Sequence, residues 1–113
     1  MHELGYATEI VSTLEDYMKE NHLTEITSVT LLIGEATGVV PHYMEECWPA
    51  AIEGSALANA KLVIDFRKAQ GRCRECDELY VISDTHGKCT KCGSEEYDFQ
   101  NGYEFEISEI HAH

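Results

Sequence analysis

The segment GRCRECDELYVISDTHGKCTKCG, residues 71–93, carries two Cys-x2-Cys pairs, Cys73/Cys76 and Cys89/Cys92, separated by twelve residues. A two-residue spacer turns both sulfurs of a knuckle toward one point, and Zn²⁺ takes four thiolates in a closed tetrahedron. Four such ligands leave no open position for catalysis, which argues against an enzyme. Gly93 directly follows the second knuckle, where a tight turn calls for positive φ. Asp77 stands at the matching place in the first, and aspartate tolerates left-handed geometry better than most residues. Two disulfides in a small secreted domain are the competing reading, but no apolar leader with a cleavage site precedes Leu4. Structural zinc is therefore favoured, with four-cysteine iron–sulfur ligation left open by spacing alone. The same cysteine usage favours a reducing cytoplasm.

On the amino-terminal side of this segment, Lys61 to Lys68 alternates Leu62, Ile64 and Phe66 against Lys61, Val63 and Asp65, a strand pattern. Further back, Ile26 to Ile33 is rich in β-branched residues, with Val29, Leu31 and Ile33 on one side and Gly34 closing it. Two helical patterns flank that strand. Leu4, Ala7, Ile10, Val11, Leu14, Tyr17 and Met18 recur at three and four residues, predicting a helix from Glu3 to Glu20 with a stop at Asn21-His22. Pro41 suits a first helical position, followed by an apolar face of Met44, Cys47, Trp48, Ala51 and Ile52. Pro49 removes a hydrogen bond and crowds the Glu45 carbonyl, predicting a kink or a break into two pieces.

On the carboxy-terminal side, Tyr103, Phe105 and Ile107 alternate with Glu104, Glu106 and Ser108, and the pattern fails at Glu109. A two-stranded sheet is seldom stable alone, so this last strand is expected to return beside the first two. The fold class that follows is α+β, a three-stranded sheet covered by two helices, with a small zinc-ribbon-like module inserted before the last strand. The main domain is then discontinuous, residues 1–70 plus 100–113, and the zinc-binding domain spans 71–99. At 113 residues the chain is too short for two hydrophobic cores, and a metal staple supplies what the small module lacks.

The formal net charge is −13, with 21 acidic and 8 basic residues. Residues 1–70 hold 11 acidic and 4 basic side chains, residues 71–93 hold 4 and 4, and residues 94–113 hold 6 and none. Nucleic-acid binding needs a basic face, and the one basic cluster, Arg72, Arg74, Lys88 and Lys91, offsets the net −2 of a zinc tetrathiolate more simply. No apolar run is long enough to span a membrane.

The chain opens Met1-His2-Glu3. A histidine in position two offers one metal three nitrogens through fused chelate rings: the terminal amine, the His2 amide and an imidazole nitrogen. A fourth donor is open between the Glu3 amide and another side chain. Planar imidazole and amide donors suit Ni²⁺ or Cu²⁺, whereas zinc has no reason to prefer that geometry. All the donors must be unprotonated, so affinity should fall as pH drops from about 8 to about 6. Glu3 has an ordinary role too, in the field of the helix dipole.

Met1-His2-Glu3 opening an amphipathic helix, Ile33-Gly34-Glu35 followed by Gly38-Val39, and two knuckles with a returning strand together resemble the HypA/HybF family of hydrogenase nickel-incorporation proteins, over essentially the whole chain. The resemblance implies a nickel metallochaperone that delivers Ni(II) during maturation of [NiFe]-hydrogenase, some members also serving urease. It implies His2 as the nickel ligand, with the Met1 amine and Glu3 backbone completing or supporting the site, and Cys73, Cys76, Cys89 and Cys92 holding zinc. A nickel-binding maturation GTPase (HypB-like) and the hydrogenase large subunit are the implied partners. Pro49, Asp77 and the tail Ile110-His111-Ala112-His113 depart from the family pattern.

The alternative from another class is a zinc-ribbon adaptor that binds a protein through its knuckle surface, with an inert amino terminus. Cys47 shares a helical face with Met44 and Trp48 and reads as a small buried hydrophobe. His22 and His42 fall at element ends, His86 reads as solvated, and His111 and His113 read as a frayed terminus.

Overall fold

The structure, a computed structural model, describes residues 2–113, the side chain of His2 excepted. In chain order it contains α1 (His2–Glu20), β1 (Ile26–Gly34), a 3-10 turn (Glu35–Thr37), α2 (Pro41–Ile52), β2 (Lys61–Arg67), β3 (Gln70–Cys73), β4 (Leu79–Val81), β5 (Tyr97–Asn101) and β6 (Phe105–Ala112). The strands form two three-stranded sheets, ordered β2-β1-β6 and β4-β3-β5. The architecture is α+β as expected, with the cysteine module entering before the last strand. Among the described residues, no helix is long and apolar enough to cross a membrane.

The chain divides into two compact units, one of Met1–Leu32, Val39–Asp65 and Glu106–His113, the other of Ile33–Gly38 and Phe66–Phe105. In the first, the helical unit, α1 packs on α2. Ala7, Ile10, Val11, Leu14 and Met18 of the predicted α1 face are buried, while Leu4 and Tyr17 at its margins are exposed. The helix stops where His22 takes φ 55° and the Leu23 N–H returns to the Met18 carbonyl at 2.9 Å. Pro41 occupies the first turn of α2, and Met44 and Trp48 are its buried residues. The predicted break at Pro49 does not occur. Pro49 falls near the end of α2, so its missing N–H forfeits one bond, while Met44 and Trp48 anchor the turns before it. The Trp48 indole donates to the Ala60 carbonyl at 3.0 Å.

Two expectations at the chain end are corrected. The last strand begins at Phe105, leaving Tyr103 ahead of it and 65% exposed, and it runs on to Ala112. Its alternation changes phase at Ser108-Glu109 without ending, which is why the pattern fails there in sequence. The tail is not frayed either. The Thr24 N–H donates to the His113 carbonyl at 2.7 Å, the His113 N–H to Glu25 at 2.8 Å, and the Thr27 hydroxyl to His111 at 3.2 Å. Phe66 is 43% exposed, so only Leu62 and Ile64 of the predicted β2 face are partly covered.

In the second, cysteine-bearing unit, the β3 edge of the cysteine cluster is held on both sides. Gly71 pairs with Tyr80 of β4 and with Phe99 of β5, and Cys73 pairs with Tyr97. The Gly34 N–H donates to Glu104 and the Ala36 N–H to Gly102, both at 2.7 Å. A Cβ on Gly34 would strike the Gly102 carbonyl, so this close backbone approach requires glycine.

Candidate metal centre

The two knuckles are built alike. In the first, the Asp77 N–H returns to the Cys73 carbonyl at 2.9 Å, the Cys73 N–H donates to Glu78 at 2.8 Å, and the Glu75 N–H points to the Cys73 sulfur at 3.4 Å. In the second, the Gly93 N–H returns to Cys89 at 3.0 Å, the Cys89 N–H donates to Ser94 at 2.8 Å, and the Lys91 N–H points to the Cys89 sulfur at 3.4 Å. Asp77 and Gly93 occupy equivalent left-handed positions, φ 66° and φ 76°. Aspartate therefore does in the first knuckle what glycine does in the second.

The repeated turns bring four sulfurs together, all within 4.8 Å of one another. Two pairs between the knuckles lie at 3.6 Å, Cys73 to Cys92, and 3.5 Å, Cys76 to Cys89. These distances exceed the ~2.05 Å of a disulfide and approach the ~3.8 Å edge of a tetrahedron with Zn–S bonds of about 2.3 Å. The space suits one ion rather than a multi-iron cluster. Cys76 and Cys89 are pushed in opposite directions by their surroundings. The Glu78 backbone N–H favours a Cys76 thiolate, but burial and the three neighbouring thiols push its pKa up to about 12. Burial opposes charge on Cys89, yet the Cys92 and Lys91 backbone N–H groups and the Cys76 and Cys73 thiols bring it down to about 6. A divalent cation would let all four carry charge, and the donor set fits zinc in a structural role.

Around the cluster, buried Cys73, Tyr80 and Cys89 pack with partly buried Cys76, Ile82 and Tyr97. The Tyr97 ring lies over Gly71, where a Cβ would come within 2.9 Å of it. Of the four basic residues near the cysteines, Arg74 is held by Asp98 at 2.8 Å and Arg72 by Asp77 at 3.7 Å, so these two cations answer local carboxylates. The Asp98 hydrogen bond and charge raise the Arg74 pKa above its ordinary value. His86 is exposed at φ 55°, and His42 pairs with Glu46 at 2.8 Å on the surface of α2. Sequence reading missed the packing roles of Tyr80 and Tyr97, for which the only signal was aromatic residues beside cysteines.

Of the predicted nickel residues, Met1 and the His2 side chain lie outside the described residues. Glu3 is described. Its carboxylate accepts the Val40 N–H at 3.4 Å, at the start of α2.

The sequence profile of a family described as "Hydrogenase/urease nickel incorporation, metallochaperone, hypA" matches residues 1–112. The chain belongs to that family. Among HypA relatives, the hydrogenase maturation factor HypA of Chlorobium luteolum is 32% identical over 110 residues, covering 97% of this chain and 94% of its own. That of Geotalea uraniireducens is also 32% identical over 110 residues, with 97% of each chain covered. The solution structure of the nickel metallochaperone HypA from Helicobacter pylori matches with a TM-score of 0.66 at 21% identity, over 97% of this chain and 96% of that one. A second solution structure of a HypA protein gives 0.69 at 23%, over 99% and 96%. At these identities the structural likeness establishes the fold. HypA proteins are metallochaperones, accessory proteins of hydrogenase maturation that handle a metal, and the four-cysteine cluster suits the structural zinc beside that cargo.

Proposed function

We propose that this chain binds Ni(II) at its amino terminus and delivers it during maturation of [NiFe]-hydrogenase in the cytoplasm, with urease as a further client. In this reading the Met1 amine and the His2 amide and imidazole are nickel donors, Glu3 completes or supports the site through its backbone, and Cys73, Cys76, Cys89 and Cys92 hold zinc. The supporting observation is where α1 begins. The first four N–H groups of an α-helix have no intrahelical acceptor, and α1 starts at His2. The His2 and Glu3 amides can therefore be given to a metal without breaking the helix. The Glu3 carboxylate is engaged by Val40, which favours a backbone over a side-chain contribution from Glu3.

Delivery requires few ligands, an exposed site and a geometry that another protein can disrupt, all of which a chain terminus offers. The receiving partners in this reading are a HypB-like nickel-binding GTPase and the hydrogenase large subunit. With a net charge of −13, association with a partner bearing a basic patch should be accelerated and should slow as salt is added. The deciding experiment is Ni²⁺ titration of zinc-loaded, untagged protein beside His2→Ala and a variant extended before Met1. Loss of a square-planar nickel spectrum in both variants, with zinc retained, supports the terminal site. Identical titrations in all three would reject it and favour the zinc-ribbon adaptor.

A further inference from the structure

A line of aromatic rings leads from the cysteine cluster to solvent. Tyr80, buried beside Cys73 and Cys89, meets Tyr97 edge-on at 6.1 Å; Tyr97 meets Phe99 at 5.5 Å, and Phe99 meets Tyr103 at 5.4 Å. The inner rings are fixed by the strand pairing and by Gly71, which leaves room for Tyr97. The outer two are not covered: Phe99 is 48% and Tyr103 65% exposed, and with Gln100, Asn101 and Glu104 they line a shallow concavity. The bulge on β5 drops Gln100 from the Cα register with β3, its side chain accepting from Arg72 Nε at 3.4 Å, and among the described residues β5 pairs with no strand on its outer edge. Phe99 and Tyr103 thus set two exposed rings side by side next to an unpaired strand edge, which offers both aromatic faces and free backbone groups to a partner.

We propose that the Phe99–Tyr103 ridge is a docking site for an extended, arginine-bearing segment of a partner protein. Charge decides the occupant. Of the four carboxylates in residues 94–105, Asp98 and Glu96 are paired with Arg74 and one oxygen of Glu104 accepts the Gly102 N–H at 2.7 Å, so what a cationic segment meets is the other Glu104 oxygen, Glu95 and the net charge of −13. A guanidinium stacks on aromatic faces and pairs with carboxylate, and the concavity offers both, with Glu104 at its rim. A second copy would bring the same acid-rimmed ridge and another net charge of −13, and a nucleic acid would bring phosphates. Preformed rings also lose little freedom on binding, which favours them as anchors. The ridge shares no residue with Met1-His2-Glu3, so this inference stands whether or not nickel binds there.

The test uses full-length, zinc-loaded protein and a synthetic nine-residue peptide alternating arginine and threonine, beside the same peptide with glutamine for arginine, followed by NMR. The arginine peptide should shift resonances of Phe99, Tyr103 and Glu104, and the glutamine peptide should not. Tyr103→Ala and Phe99→Ala, each checked for retained zinc, should weaken binding about fivefold apiece, the scale of one lost cation–π contact. The Tyr103 change removes a ring already mostly in water and so should spare the fold. Equal binding of both peptides, unchanged affinity in the Tyr103 variant, or shifts confined to other residues would overturn the proposal. So would the same shifts produced by protein concentration alone or by oligothymidylate, which would assign the ridge to self-association or to single-stranded nucleic acid.

Discussion

In the helical unit, Ile26, Leu31, Met44 and Leu57 are at most 1% exposed, whereas the cysteine cluster is centred on two thiols and one tyrosine, Cys73, Cys89 and Tyr80. Full burial of one large aliphatic side chain stabilises by about 1.5–3 kcal/mol, so the first unit has an ordinary apolar core. The second has no comparable set. Its order comes from turns that end at cysteines, short strands, and four sulfurs gathered within 4.8 Å of one another as a metal would need them. The same chain thus uses burial in one place and ligation in another. Small modules rely on metal for this reason: structural zinc supplies about 10–16 kcal/mol of apparent free energy where area is lacking.

The sharpest way to break this contrast is to remove the metal. Chelation, or Cys73→Ser, should abolish ordered structure around the knuckles, read as collapse of NMR dispersion for residues 70–101, while α1 keeps its helical circular dichroism. In the other unit the matching insult is Leu57→Ala. Leu57 is fully buried, and the truncation should cost about 2–5 kcal/mol in urea unfolding without changing zinc content. Trp48→Phe keeps most of the apolar volume but leaves the Ala60 carbonyl without its 3.0 Å donor, for a smaller loss of about 1–3 kcal/mol in the same assay. Smallest of all should be Arg74→Ala. Its ion pair with Asp98 at 2.8 Å is open to solvent, so the unfolding midpoint should barely move, and less still in high salt.

The two regions also differed in how much their residues disclosed in sequence. The α1 stripe and the alternation of Val29, Leu31 and Ile33 could be read directly, because burial on one face imposes a period. The knuckles were legible from ligand spacing, including the left-handed position of Asp77. Leu57 was not: it is buried from a turn between α2 and β2, where no period exists. Nor were β3, β4 and β5, of four, three and five residues, which are too short to show alternation and are placed by knuckle turns and neighbouring pairing. The tail His111-Ala112-His113 looked loose because its anchors are main-chain hydrogen bonds to Thr24 and Glu25, which side-chain patterns do not report. At the amino terminus, where nickel binding is proposed, Met1-His2-Glu3 is a short motif whose weight comes from the family that the chain matches over residues 1–112.

The most direct test of two supports in one chain is residue-resolved amide hydrogen exchange on zinc-loaded and zinc-stripped protein. Protection should be lost across β3, β4 and β5 on stripping and retained in α1 and α2. Loss of protection in both units together, or its survival at β3 without zinc, would contradict the account.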